Sequence, residues 1–178
     1  PDFKHLVFGK YFTDHMFRMD YSDELGWHNP RICPNEPIPM DPATTVFHYS
    51  QCIFEGLKAY KNADTGRITC FRSQDNFRRL NRSCERMCIP TFDVDVAMQG
   101  MKKLLEIDSD WIPTDPGTSI YIRPTVIGTD VQLGVKASHT YIFYIILSPV
   151  SAYYAHGLAP VSIYVEDKYV RAVVGGTG

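Results

Sequence analysis

The sequence has 178 residues, of which 44% are hydrophobic and 21% are charged, and its formal net charge is −2. This composition is typical of a soluble globular protein with enough apolar side chains for a core, and the length suits one domain or one domain and part of another. The near-neutral charge without an extended basic run argues against nucleic-acid binding, and the longest apolar stretch, at residues 141–150, is shorter than the roughly 20 residues of a membrane span.

The first third of the chain predicts short extended elements. Residues 6–20 mix apolar and aromatic side chains in two strand-like runs. Five prolines between residues 30 and 42 predict extended and turn conformations. Asp41-Pro42 predicts the start of a helix, which we expect to be short because β-branched residues occupy positions 44–46.

The middle third predicts a hairpin followed by two helices. Residues 54–61 and 67–72 predict antiparallel strands joined by a turn at residues 62–66. Ser73 is expected to cap a helix over residues 74–87, and Asp93 is expected to cap a second helix. Apolar residues at three- and four-residue spacing predict the buried faces of these helices, namely Phe77, Leu80, Cys84, Met87 and Cys88 in the first and Val94, Ala97, Met101, Leu104 and Leu105 in the second.

Three strand candidates follow, at residues 119–127, 140–148 and 161–166. The order of strands, then a helix pair, then strands predicts an α+β fold with a largely antiparallel sheet and two main helices. We place one domain at residues 1–152, a linker at 153–160 and the start of a second, incomplete domain at 161–178. The chain begins at Pro1 and ends on a glycine-rich run, so both ends are interpreted as limits of a fragment.

The five cysteines show no metal-ligand spacing, and we expect no metal site. Their odd number predicts reduced thiols in a cytosol-like compartment. No signal peptide is recognisable at the N-terminus. A cytoplasmic location is therefore expected, and the mitochondrial matrix is a second possibility.

Tyr121 and Arg123 are the first candidate site residues, because strand alternation places them on the same face. A guanidinium beside a tyrosine could receive a carboxylate, but a solvated arginine on an edge strand fits the same spacing. The helix over residues 74–87 carries four arginines, which indicate either a solvated face or one inward arginine that holds a phosphate. The closing Gly175-Gly176-Thr177-Gly178 suits a close approach to a ligand or a flexible turn, and it is not a P-loop.

Taken in order, the motifs resemble the branched-chain aminotransferases, fold-type IV enzymes that use pyridoxal 5′-phosphate (PLP). The resemblance covers almost the whole chain and includes Phe12-Thr13-Asp14-His15-Met16, His48-Tyr49, Phe54-Glu55-Gly56-Leu57-Lys58-Ala59-Tyr60, Tyr121-Ile122-Arg123-Pro124, Leu133-Gly134-Val135-Lys136, Leu147-Ser148-Pro149-Val150 and Tyr169-Val170-Arg171-Ala172. It implies that residues 1–152 are the small N-terminal domain of that fold.

The resemblance also implies site roles. Arg79 would bind the PLP phosphate, Arg171 would lie near the cofactor, and Tyr121 and Arg123 would hold a substrate carboxylate. Aromatic residues would line the side-chain pocket, namely Phe8, Tyr49, Phe54 and Tyr153. The loop that contains Val135 would reach the active site of a neighbouring subunit in a homodimer.

The implied activity is transfer of an amino group between leucine, isoleucine or valine and 2-oxoglutarate, as part of branched-chain amino acid metabolism, including its biosynthesis. The catalytic lysine of the family is expected just after Gly178, so no catalytic residue is expected within residues 1–178, and this stretch alone is expected to be inactive. The alternatives are a D-amino acid transaminase or an aminodeoxychorismate lyase on the same fold, or a truncated, non-catalytic module.

Overall fold

The computed structural model describes residues 3–151, 160–169 and 174. Seven strands and three α-helices are found in these ranges: β1 (His15–Ser22), β2 (Gly26–Pro34), α1 (Thr45–Tyr49), β3 (Cys52–Phe54), β4 (Leu57–Lys61), β5 (Ile68–Cys70), α2 (Ser73–Arg86), α3 (Val94–Ile107), β6 (Ser119–Gly128) and β7 (Thr140–Val150). This order of elements confirms the predicted α+β class and the two main helices. None of the helices in the described ranges has the length and apolar character that a bilayer crossing requires.

All strand pairs of the sheet are antiparallel, in the order β2-β1-β7-β6-β4-β5. The long strands β6 and β7 form the centre of the sheet, and β3 pairs with the end of β6 that β4 leaves uncovered. Arg123 therefore lies on an interior strand. The prediction of a largely antiparallel sheet is confirmed.

Helices α2 and α3 pack on one face of the sheet and enclose the core. Their predicted buried stripes are largely confirmed, since Phe77, Leu80 and Cys84 of α2 are fully buried. In α3 the residues at the same kind of spacing are also buried, namely Ala97, Met101, Leu104 and Leu105. Cys88 was predicted wrongly as a member of the stripe, because it lies beyond the end of α2, has a positive φ and is exposed.

The two predicted helix caps had different outcomes. Asp93 caps α3 as expected, and its side chain accepts hydrogen bonds from the backbone N–H groups of Asp95 and Val96. The Ser73 cap is wrong, because Ser73 is already the first residue of α2 and its neighbour Arg72 occupies the cap position in a left-handed conformation. The cap position of α2 makes no side-chain hydrogen bond to the helix backbone.

Two strand predictions, at residues 6–14 and 161–166, need correction. Residues 6–14 are not a strand, and β1 begins only at His15. Strand β2 runs through Pro30, which is tolerated because the register with β1 shifts between Arg31 and His28, so that Pro30 pairs with no residue of β1, and because β2 is an edge strand. Residues 161–166 are not a strand, since they lie exposed and pair with no other described segment.

Candidate functional site

The predicted strand at residues 54–61 is interrupted at Glu55-Gly56, and this interruption organises the site. The residue pairing stays in register across it, because Phe54 lies opposite Thr125 and Leu57 lies opposite Ile122. The backbone N–H of Glu55 donates to the carbonyl of Pro124 at 2.9 Å, but Pro124 has no N–H with which to return a hydrogen bond. The ladder is therefore locally incomplete opposite Pro124.

Gly56 lies against the ring of Tyr121. A Cβ atom at Gly56 would overlap the Tyr121 hydroxyl and would lie 3.0 Å from its Cζ atom. The absence of a side chain at Gly56 therefore creates the space that the Tyr121 hydroxyl occupies. A glycine at position 56, between β3 and β4, is required by the close approach of the ring.

Arg123 is held by two aromatic residues. Its guanidinium lies 4.3 Å from the centroid of the Phe54 ring, and its Nη2 donates a hydrogen bond of 2.8 Å to the Tyr121 hydroxyl. The interpretation of Arg123 as a solvated arginine on an edge strand is therefore wrong. Its position on β6 and its aromatic contacts fix the direction of the guanidinium.

A cavity of about 270 Å³ lies beside Tyr121 and Arg123. Its walls include Phe8, whose ring centroid lies 5.0 Å from that of Tyr121, and Ser148 of β7. Arg123 Nε and Ser148 Oγ are both buried and make no hydrogen bond within the described part of the chain. Arg123 and Ser148 both line this cavity, and a guanidinium and a hydroxyl on one wall can bind an acceptor-rich group such as a carboxylate.

Arg79 of α2 is tied to the interrupted segment by Glu55. Arg79 Nε and Nη2 donate to the two carboxylate oxygens of Glu55 at 2.8 and 2.7 Å. These hydrogen bonds and the negative charge of Glu55 raise the pKa of Arg79. The guanidinium remains largely exposed and Nη1 makes no hydrogen bond to the described residues, so a second anion such as a phosphate fits against its remaining edge.

Phe54, Glu55 and Gly56 thus each contact one residue that the sequence placed in the site. Phe54 supports Arg123, Glu55 holds Arg79, and Gly56 accommodates Tyr121. The structure brings both cationic groups to one short segment, although they lie 44 residues apart in the chain. An arrangement with two separate arginines can receive two anionic groups.

Tyr49 and Val135 lie elsewhere. The Tyr49 hydroxyl donates to the backbone carbonyl of Leu133, and neither Tyr49 nor Val135 lines the 270 Å³ cavity. Val135 is 87% exposed at the tip of the loop between β6 and β7. Tyr153 and Arg171, and the glycine-rich run at residues 175–178, lie outside the described residues.

The base of that loop is anchored in the core by Gln51, whose importance the sequence did not indicate. Its Oε1 accepts a hydrogen bond of 2.9 Å from the backbone N–H of Ser138, and its Nε2 donates to the carbonyl of Met87 and to the Tyr141 hydroxyl. Gln51 is buried, so these contacts join the loop to the end of α2 and to β7.

Glu55 and Ser148 were also missed as site residues. Glu55 stands inside a motif that was recognised, but its partner Arg79 is 24 residues away and no local pattern links them. Ser148 could have been found from strand register, since it lies directly opposite Tyr121 and alternation places both on one face.

No protein-family model matches the chain. Among curated proteins, the chain is 55% identical over 179 residues to branched-chain-amino-acid transaminase 1 of Bacillus subtilis, covering 100% of this chain and 50% of that protein. It is 50% identical to a probable branched-chain-amino-acid aminotransferase of Staphylococcus aureus, of which it covers 49%. The chain spans about half the length of the curated relatives it matches.

Solved structures show the same fold. A branched-chain amino acid aminotransferase from Escherichia coli matches with a TM-score of 0.58 and 22% identity, covering 79% of this chain and 41% of that chain. The enzyme of the same name from Thermobaculum terrenum, in its PLP form, matches with a TM-score of 0.56 at 22% identity over the same shares. The likeness extends to an antiparallel sheet covered by helices on one face.

Proposed function

Because the chain belongs to the branched-chain aminotransferase family, as an N-terminal portion of it, we propose that the complete protein transfers amino groups between branched-chain L-amino acids and 2-oxoglutarate with PLP. The observation that carries the proposal is the cavity beside Tyr121 and Arg123, which Arg123 and Ser148 line together with the aromatic rings of Phe8, Phe12 and Tyr121. Such a site can receive a carboxylate and an aliphatic chain side by side.

Arg123 is proposed to bind the substrate carboxylate, with Tyr121 as its orienting partner. The hydrogen bond from Arg123 to the Tyr121 hydroxyl and the Phe54 ring beneath the guanidinium restrict the rotation of the arginine. Phe8, at the cavity wall, would contact the aliphatic side chain, where each buried methylene contributes about 0.8 kcal/mol. This contribution favours leucine, isoleucine and valine over smaller amino acids.

Arg79 is proposed to bind the PLP phosphate through the edge of its guanidinium that Glu55 leaves free. When bound, PLP supplies an electron sink for the carbon from which the substrate proton is removed. Arg171 and Tyr153 stay predicted contacts of the cofactor and of the side-chain pocket. The lysine that would bind PLP is predicted to follow Gly178.

A second copy of the protein is the proposed partner, and Val135 is the proposed contact with the neighbouring active site. The support is the loop between β6 and β7, where Val131, Leu133 and Val135 are largely exposed and the base is fixed by Gln51. Tyr49 would then contribute to the side-chain pocket by holding this loop, because its hydroxyl donates to the carbonyl of Leu133. All five cysteines are free thiols, which supports the proposed cytoplasmic location.

The test is a transamination assay of the complete protein with leucine, isoleucine and valine as donors and 2-oxoglutarate as acceptor. Arg123→Ala should raise KM by about tenfold or more, the effect of losing hydrogen bonds to a charged group. Arg18→Ala is the matched control, because Arg18 is also a sheet arginine but is paired with Asp20. Activity on D-alanine without activity on L-leucine would contradict the proposal.

A further inference from the structure

Glu55 has a fixed position. Its buried carboxylate accepts three hydrogen bonds, at 2.8 and 2.7 Å from Arg79 and at 2.7 Å from Asn76 Nδ2, and its backbone N–H is bonded to Pro124. Both ends of the residue are therefore held, the side chain by α2 and the backbone by β6. A carboxylate held in this way can fix the direction of a longer, flexible partner.

Arg79 differs from the paired arginine at the N-terminal cap of α2 and from its paired neighbour within the helix. Arg72 and Arg78 pair with Asp75, and all three side chains are at least 43% exposed, so these pairs are ordinary surface ion pairs. Arg79 is 58% exposed, but the Glu55 side chain that holds it is only 9% exposed. The Arg79 pair thus joins a buried, multiply hydrogen-bonded acceptor to a cation that solvent and ligands can reach.

The geometry of the guanidinium shows what remains available. Glu55 occupies the edge formed by Nε and Nη2, which leaves the two N–H groups of Nη1 and the second N–H group of Nη2. These groups form the other fork of the guanidinium, and a phosphate can accept from it in a bidentate manner. One arginine can therefore bind a carboxylate and a phosphate on different edges at the same time.

We propose that Glu55 is a positioning residue, which orients Arg79 so that its free edge faces the PLP phosphate. The proposal rests on the proposed function, because it takes PLP as the ligand of Arg79. Glu55 does not touch the phosphate in this arrangement. It lowers the number of orientations that Arg79 samples before PLP binds, and so lowers the entropy lost on binding.

The experiment compares PLP with pyridoxal, which lacks the phosphate, in titrations of the apo form of the complete protein followed by absorbance and protein fluorescence. Glu55→Asp keeps the charge but withdraws the carboxylate by one methylene, so it can no longer hold the Arg79 fork. PLP affinity should fall by about tenfold, the effect of one weakened charge-assisted hydrogen bond. The affinity for pyridoxal should not change.

Glu55→Gln is the second variant, and it serves if Glu55→Asp does not fold. Glutamine keeps the side-chain length but can accept from only one of the two arginine nitrogens at this geometry. Removing the negative charge would by itself strengthen phosphate binding, so weaker PLP binding in this variant reports lost orientation. Asp75→Asn, which removes the carboxylate between Arg72 and Arg78 on the same helix, is the matched control and should leave PLP affinity unchanged.

Unchanged or tighter PLP binding in the Glu55 variants would overturn the proposal, as would an equal loss of affinity for PLP and pyridoxal. The latter result would mean that Glu55 supports the fold in general. Failure of the unaltered protein to bind PLP would instead contradict the proposed function, so the two failures are distinguishable.

Discussion

Replacing Gly56 with alanine tests whether the interrupted segment positions Tyr121. The φ angle of Gly56 is outside the left-handed region, so the backbone itself accepts an alanine. The added methyl group would overlap the Tyr121 hydroxyl and lie 3.0 Å from Cζ, and the Tyr121 ring is in turn packed on Phe8 and bonded to Arg123. Relief of the overlap therefore requires several side chains to move.

The expected magnitude follows from two opposing effects. Inserting a methyl group into a packed site costs about 1–3 kcal/mol. The reduced freedom of the unfolded chain with alanine in place of glycine offsets about 0.4–1 kcal/mol of this cost. We expect Gly56→Ala to lower the free energy of unfolding by about 1–2 kcal/mol and to raise KM for the carboxylate substrates, because the Arg123 guanidinium loses its orienting partner.

Chemical denaturation of the complete protein measures the change in the free energy of unfolding. Gly134→Ala is the control, since the nearest atom to a Cβ at Gly134 is 3.9 Å away. The same substitution in a Tyr121→Phe background should cost less, because the overlapping hydroxyl is gone. If Gly56→Ala has no cost, or the same cost with and without the hydroxyl, then contact with Tyr121 does not explain the glycine.

Three further results are expected. Gly100→Ala should lower the free energy of unfolding by about 1–2 kcal/mol in denaturation experiments, because the added Cβ would lie 2.6 Å from Cζ of Phe17. The overlap outweighs the helix preference of alanine over glycine, which is about 1 kcal/mol. Burial alone would raise the pKa of Asp20, but hydrogen bonds from Arg18 and Arg31 lower it overall. Asp20→Asn should therefore lower the free energy of unfolding at pH 7, and the gap between the two proteins should shrink as the pH falls below about 4. A gap in the free energy of unfolding that does not vary with pH would contradict this. Ser148→Ala should raise KM for the substrate carboxylate by about tenfold with little change in kcat, because Ser148 and Arg123 line the same cavity, and steady-state kinetics measures both constants.

Local chemistry explains which elements were predictable from the sequence. The Asp93 cap was correct because a carboxylate and the N–H groups two and three residues later interact within a single turn. The Ser73 cap failed because Arg72 adopts a left-handed conformation, which no propensity favours for arginine. The passage of β2 through Pro30 depended on a shift in register with β1 and on the edge position of β2, and both are properties of the complete sheet.

For the candidate site, the sequence predicted which residues share a face but not which residues pair or become buried. Alternation along β6 correctly placed Tyr121 and Arg123 on one face, because the period of a strand is local. Spacing could not decide whether Arg123 was solvated, since its burial depends on Phe54 from another strand. The pairing of Glu55 with Arg79 likewise requires α2 to lie beside the end of β3, and only the packed structure contains this information.

The continuous register on both sides of Glu55-Gly56 restricts how this segment can change in evolution. Because Phe54 and Leu57 keep their partners on β6, one inserted or deleted residue between them would turn β4 over. Leu57 and Ala59 would then leave the core, and Lys58 would enter it. Homologues should therefore vary here by substitution and keep the length of the segment constant, whereas the loop between β6 and β7 has exposed positions at which length can change.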